Sequence, residues 1–263
     1  MTDNPYLPFA AKILEIRTHT DVEFTIRVKA ECDITPGQFF QLSLPKIGEA
    51  PISVSAYDKD WIEFTIRAVG RLTNALKNLG KGRQIFIRGP YGQGFSSTAL
   101  VDKDVIIVAG GSGVAPVKPL IENILASKIK CKSLKVILGF KDLSAILFQE
   151  SIEKWQRNLD VTLTIDKPQD DWHGKTGLVT EHIRQLGNLF TDCQAVVVGP
   201  PVMMKFATAE FRLLGLPAEN IWVSFERHMS CGIGKCGHCK IDNTYVCVDG
   251  PVLNYSHAAE LID

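Results

Sequence analysis

The sequence has no surplus charge. Across 263 residues, 29 Lys and Arg balance 29 Asp and Glu, for a formal net charge of zero. The basic footprint of a nucleic-acid binder is missing, and so is the acidic composition of a disordered chain. Long hydrophobic runs are also missing: none reaches the roughly 18 apolar residues of a membrane span. Met1-Thr2-Asp3-Asn4-Pro5 contains no basic region leading into an apolar stretch. No secretory signal is expected, and the cytoplasm is the expected location. Internal repeats and low-complexity segments are absent. What remains is ordinary globular composition, 45% hydrophobic and 22% charged, with length enough for two domains. A zero net charge removes one device against self-association, so a partner surface is in play.

The cysteines are unevenly placed. Seven is an odd number, which argues against a disulfide framework in a reducing compartment. Cys32, Cys131 and Cys193 are scattered and read as small packing residues. The other four form Cys231-x4-Cys236-x2-Cys239-x7-Cys247. The C-x4-C-x2-C…C spacing is the plant-type [2Fe–2S] arrangement. Four thiolates supply soft negative charge to two irons. Gly232, Gly234 and Gly237 let the loop turn tightly and bring amide N–H groups toward sulfur. Structural zinc is the alternative, although its thiolates usually come as C-x2-4-C pairs on separate knuckles. His238 lies between ligands and is expected to be an exposed loop residue.

The first hundred residues read as short strands of period two. They run Lys12–Arg17, Val22–Val28, Gln38–Leu44, Ile52–Ala56, Trp61–Ala68 and Gln84–Arg88, with one helix at Thr73–Leu79. Gly and Pro separate them, which predicts an antiparallel β-barrel. Beyond residue 100 the pattern becomes α/β. Apolar strands at 105–109, 134–139, 161–165, 195–198 and 221–224 alternate with helices at about 116–128, 147–158, 179–186 and 202–214. That predicts a doubly wound parallel sheet. The expected domains are 1–98 (barrel), 99–224 (nucleotide-binding α/β) and 225–263 (cysteine-rich lobe).

Gly110-Gly111-Ser112-Gly113-Val114-Ala115-Pro116 follows the 105–109 strand and opens a helix. Amides at such a helix start can hold a pyrophosphate; a tight turn with no ligand is the plain alternative. Pro116 stands where a GxGxxG would have its third glycine, and proline is tolerated in a first helical turn. Gly174-Lys175-Thr176 looks like the end of a P-loop, but Gln169 stands where that motif needs glycine, so a loop is expected there.

Taken in order, the motifs resemble the ferredoxin–NADP reductase superfamily. Pro36-Gly37-Gln38-Phe39 matches its barrel signature. Pro51-Ile52-Ser53-Val54-Ser55 looks like its flavin strand, and Gly70-Arg71-Leu72-Thr73 like its second flavin motif. Gly89-Pro90-Tyr91-Gly92 is similar to the end of its barrel. Gly110–Pro116 is similar to its nicotinamide turn, and Gly199-Pro200 with Met203-Met204 to its following strand end. Two departures stand out. Ala50 and Ile52 replace the Arg and Tyr usual in the flavin strand, and Val198 replaces a cysteine near the nicotinamide.

The resemblance implies a flavin (FAD before FMN), a nicotinamide donor (NADH before NADPH) and the cluster. Ser53 would sit at the reactive edge of the flavin, with Pro51, Ile52 and Val54 beside it. Gly70, Leu72 and Thr73 would hold flavin phosphates, with Arg67 or Arg71 in place of the missing guanidinium or else simply on the surface. Gly110, Gly111, Ser112 and Gly113 would hold the nicotinamide nucleotide, with Gly199, Pro200 and Met203 nearby. Asp142 would accept from a ribose hydroxyl, unless it and Lys141 are solvated loop residues. Flavin links a two-electron donor to a one-electron cluster. A cluster tail narrows the resemblance to electron-transfer subunits. Phe225–Lys240 looks most like the subunit of anaerobic sulfite reductases, which implies iron–sulfur and sirohaem partner subunits. The gamma subunits of cytoplasmic hydrogenases and the electron-transfer subunit of dihydroorotate dehydrogenase are the alternatives. A zinc-stapled, non-catalytic nucleotide-binding module is the alternative of another class.

Overall fold

The structure, a computed structural model, describes residues 4–187 and 192–261. Met1-Thr2-Asp3, at the head of the segment read for a secretory signal, lies outside them. No described helix is long and apolar enough to cross a membrane. The described chain forms two compact units. One takes the chain through Phe95 with Lys118–Leu120 and Phe225–Val252; the other takes Ser96–Val117, Ile121–Ser224 and the chain from Leu253. The cysteine-rich segment therefore belongs to the barrel unit.

The barrel is closed, in the order β1 (Phe9–Thr18), β2 (Glu23–Lys29), β5 (Trp61–Arg67), β4 (Gly48–Tyr57), β3 (Phe39–Leu44), β6 (Gln84–Tyr91). Strict alternation builds its interior. Phe24, Ile26 and Val28 of β2 face Ile66, Phe64 and Ile62 of β5, all essentially buried. Phe40 of β3 meets Phe64 edge-on, with centroids 5.6 Å apart. Each such side chain contributes about 1.5–3 kcal/mol by leaving water. Helix α1 (Arg71–Lys77) adds Leu72 and Leu76 to the same core. It starts at Arg71, two residues before the expected Thr73, because Thr73 serves the cap. Its Oγ1 accepts from the Val69 and Gly70 amides at 3.1 and 2.9 Å.

In the second unit come α2 (Ser97–Leu100), β7 (Asp104–Gly110), α3 (Val114–Leu125), β8 (Ser133–Phe140), α4 (Gln149–Gln156), β9 (Asp160–Ile165), β10 (Lys175–Thr176), α5 (Val179–Arg184), β11 (Cys193–Val198), α6 (Pro201–Leu213) and β12 (Ile221–Ser224). The cysteine segment carries a hairpin of β13 (Lys240–Ile241) and β14 (Thr244–Tyr245), and β15 (Val252–Asn254) and α7 (Tyr255–Ala258) follow it. The sheet order is β10-β9-β8-β7-β11-β12-β15, with β9 through β12 parallel. β7 is buried along Val105–Gly110, as a strand covered on both faces must be. The chain runs outward from β7 to β9, then returns to place β11 on the other side. That reversal is a switch point, and in open α/β sheets ligands bind there, at the carboxyl ends of the strands. Two local expectations change. Helix α3 begins at Val114 because Gly111–Gly113 form a single 3-10 turn. Lys175–Thr176, expected as loop, pairs with Thr164–Ile165 as a short edge strand.

Candidate functional site

The switch point brings the two glycine segments of the second unit together. Val198 of β11 pairs with Ala109 of β7, so Gly199-Pro200 and Gly110–Gly113 leave adjacent strand ends. The approach is close. A Cβ on Gly113 would lie 2.6 Å from the Val198 carbonyl oxygen and 2.8 Å from the Gly199 Cα. Gly111 differs: it has φ +54 and nothing within 4 Å of its Cβ position. The turn is closed against β11 and open at Gly111, and Ser112 is exposed. Met203 packs between the glycines; its Sδ would lie 2.4 Å from a Cβ on Gly110 and 2.9 Å from one on Gly199. Asp142 follows β8 as an N-cap: its Oδ1 accepts from the Ala145 amide at 3.1 Å and the Ser144 hydroxyl at 2.6 Å. The Ser144 hydroxyl holds the Asp142 carboxyl below its ordinary range.

In the barrel unit, Ser53 of β4 lies opposite Phe39 of β3, half-buried. Pro51 and Ile52 are likewise half-buried. Val54 and Leu72 point into the barrel core, so only their backbone is available to a ligand. The Gly70 amide is taken by Thr73. Arg67 pairs with Glu23 at 3.3 Å, and Arg71 donates to the Lys46 carbonyl at 3.3 Å.

The four cysteines gather along one segment: Cys231 neighbours Cys236 and Cys247, and Cys247 also neighbours Cys239. The tight β13–β14 hairpin turns the chain back so that Cys247 returns to Cys239. Both are 1% exposed, whereas Cys236 is exposed. Gly232 and Gly234 adopt φ +76 and +74. Left-handed residues alternating with ordinary ones turn successive amides toward one side. The amides of Ile233, Lys235 and Cys236 accordingly donate to Cys231 Sγ at 3.5, 3.3 and 3.4 Å, and that of Gly234 to Cys247 Sγ at 3.2 Å. A backbone hydrogen bond from His238 leads in drawing the Cys236 thiol down to about 7, while burial pushes the Cys247 thiol up to about 12. In the iron-free chain at pH 8, iodoacetamide is therefore expected to label Cys236 at least about tenfold faster than Cys247, since the thiolate is the nucleophile. Peptide mapping by mass spectrometry checks this; equal labelling contradicts the arrangement. Among the described residues, no group of three or more His, Cys, Asp or Glu side chains gathers as a site for a single ion.

Sequence reasoning missed the barrel face that carries this segment. Gln41 of β3 donates to the Met229 carbonyl at 3.4 Å. Arg88 of β6 donates to the Ser230 and Cys231 carbonyls at 2.6 and 2.5 Å. The Tyr91 ring lies against Gly232, where a Cβ would come within 3.1 Å of it. Tyr91 also meets Phe39, the residue opposite Ser53, at 5.8 Å between centroids. The available signal was a buried-strand position given to a polar Gln41 and a charged Arg88.

Comparison with known proteins agrees with this layout. Residues 107–209 match the family model of the oxidoreductase NAD-binding domain. Residues 226–258 match that of the iron–sulfur cluster binding domain of dihydroorotate dehydrogenase B. The chain is 31% identical to the sulfhydrogenase 1 subunit gamma of Pyrococcus furiosus, covering 96% of this chain and 92% of the relative. It is 35% identical to a probable dihydroorotate dehydrogenase B electron transfer subunit of the same organism, covering 87% and 83%. A solved NADH-dependent reduced ferredoxin-NADP oxidoreductase shares the fold, with a TM-score of 0.78, 24% identity and coverage of 95% and 91%. These findings overturn the sulfite reductase resemblance and, with it, the sirohaem and iron–sulfur partners it implied. The relatives are hydrogenase gamma and dihydroorotate dehydrogenase electron-transfer subunits. The reason is local: the residues between the four cysteines do not identify a partner.

Proposed function

We propose that this chain, which belongs to the ferredoxin–NADP reductase-like electron-transfer subunits bearing a C-terminal iron–sulfur-binding domain, carries electrons from NADH to a hydrogenase-type catalytic partner. The observation that carries the reading is the run of four neighbouring cysteines, with backbone amides donating to the Cys231 and Cys247 sulfurs. Four thiolates are the donor set of a [2Fe–2S] cluster. The iron–sulfur family model matched at residues 226–258 leaves the zinc-stapled module with less support.

Cys231, Cys236, Cys239 and Cys247 would hold the cluster. Ser53 and the amides that open α1 would hold FAD; only the Thr73 oxygen, at 3.9 Å, comes near the Cβ position of Gly70, which leaves room there. Gly111 and Ser112 would meet the nucleotide pyrophosphate at the open side of their turn, and Gly113 with Gly199 fixes that turn against β11. Bound flavin and cluster would supply the change from a two-electron donor to single-electron carriers. The protein's part is to hold and orient. Its seven unpaired cysteines suit a reducing, cytoplasmic setting.

The hydrogenase-type partner is favoured because those relatives align over 96% of this chain and 92–96% of their own length. A dihydroorotate-oxidising partner is the second reading, favoured by the iron–sulfur model matched at 226–258. An anaerobic visible spectrum before and after one equivalent of NADH tests the proposal. Flavin and iron–sulfur absorbance that bleaches is the expected result. A colourless, zinc-containing protein after reconstitution with iron, sulfide and FAD overturns it. Affinity purification of the native complex, with nickel and dihydroorotate oxidation assayed, separates the two partner classes.

A further inference from the structure

We propose that Arg88, with Glu49 as its counter-charge, sets the reduction potential of the cluster held at Cys231; the inference rests on the cysteine reading above. Arg88 is only 6% exposed. Its Nε donates to Glu49 Oε1 at 2.8 Å and its Nη2 to Glu49 Oε2 at 2.6 Å. The second Nη2 hydrogen goes to the Ser230 carbonyl. Nη1 donates to the Tyr91 hydroxyl at 3.2 Å and to the Cys231 carbonyl at 2.5 Å. A guanidinium has five N–H groups in a rigid fork, and every one has a partner here.

Three consequences follow from that geometry. The cation is permanent, because the Glu49 hydrogen bond raises an already high pKa further. It is fixed, since no rotation of the fork keeps all five bonds. And it is buried itself and binds the backbone of Cys231 directly, so its charge acts at short range. Gln41 secures the preceding Met229 carbonyl, so three successive carbonyls up to the first ligand are held by the barrel. A positive charge beside the ligand favours the reduced cluster. Glu49 lies on the far side of the guanidinium from those carbonyls in the bonding pattern and opposes it. Charge and hydrogen bonding around the sulfurs are among the factors that set such potentials. Arg88 is thus a positioning residue: it touches the ligand's backbone and acts through it.

The experiment compares full-length wild type, Glu49→Gln, Arg88→Lys, Arg88→Gln and the Glu49→Gln/Arg88→Gln double variant. Each is reconstituted anaerobically, and cluster reduction is followed by EPR during a potentiometric titration. Flavin content and Tm monitor folding separately. Glu49→Gln is expected to move the cluster potential positive, by unmasking the guanidinium. Arg88→Gln is expected to move it negative, and the double variant to return toward wild type. Arg88→Lys keeps the charge and is expected to lie nearer wild type than Arg88→Gln. Shifts of opposite sign in the two charge-removing variants are a signature that a merely structural clamp does not give. If Arg88→Gln takes up no iron, a positive shift in Glu49→Gln supports the proposal on its own. Unchanged potential in loaded Glu49→Gln, or shifts of one sign in both variants, overturns it. A wild-type chain that takes up no iron overturns the cysteine reading instead.

Discussion

Cys239→Ala is expected to leave the chain without iron or acid-labile sulfide, and to abolish NADH-driven transfer to a one-electron acceptor. Cys239 is 1% exposed and faces Cys247. Its removal takes away one of the four thiolates that would hold the cluster. Flavin binding is expected to survive, since Ser53 and α1 lie on the barrel and take no part in the cysteine loop. The paired result is the informative one: flavin still bleached by NADH, iron absent. Cys32→Ala and Cys131→Ala serve as controls and are expected to keep full iron, because neither thiol lies with the four. Iron analysis and visible circular dichroism read all three. Retained iron in Cys239→Ala removes this residue from the ligand set.

Gly113→Val is expected to eliminate NADH binding and to lower stability by more than the 1–3 kcal/mol or so of an ordinary overpacked site. The atoms in the way are the Val198 carbonyl oxygen and the Gly199 Cα, at 2.6 and 2.8 Å from the new Cβ. Backbone of a buried central strand has nowhere to go. The β7–β11 junction must open, and the Gly111–Gly113 turn opens with it. Gly110→Ala is the contrast. Its nearest obstacle is the Met203 thioether at 2.4 Å, a flexible side chain that can repack. That variant is expected to cost about 1 kcal/mol and to keep measurable NADH binding. Thermal melts and anaerobic NADH titration compare the two; equal effects would mean that β11 yields as easily as a side chain.

The barrel and the parallel sheet were legible wherever a period persisted over several residues. Glu23–Lys29 alternates without a break, and Val105–Ala109 is apolar throughout. The β10, β13 and β14 strands were not legible, because two residues have no period. Helix starts moved by two residues where a cap decided them: Thr73 caps α1 instead of opening it. Asp142 was read as a ribose acceptor or a solvated loop residue; its local cap, with Oδ1 accepting from Ser144 and Ala145, was not foreseen. The cysteine pattern stood out because its spacing is local. Arg88 was not, because the carbonyls it binds lie 142 and 143 residues further on, and no window along the sequence joins them. The partner was misread from the residues between the cysteines, which do not distinguish one assembly from another.

That separation has a consequence for how the protein is made. At ribosomal rates of about 5–20 residues per second, Arg88 is synthesised roughly 7–30 s before Ser230. During that interval the barrel strands can pair, and the α/β unit can be made in full. The outer face of β3 and β6 meanwhile stands wet, its guanidinium held by Glu49 and solvated where the carbonyls will come. The cysteine segment docks onto a finished surface. The Ser230 and Cys231 carbonyls that complete the Arg88 hydrogen bonds are thus among the last parts of the barrel unit to be made.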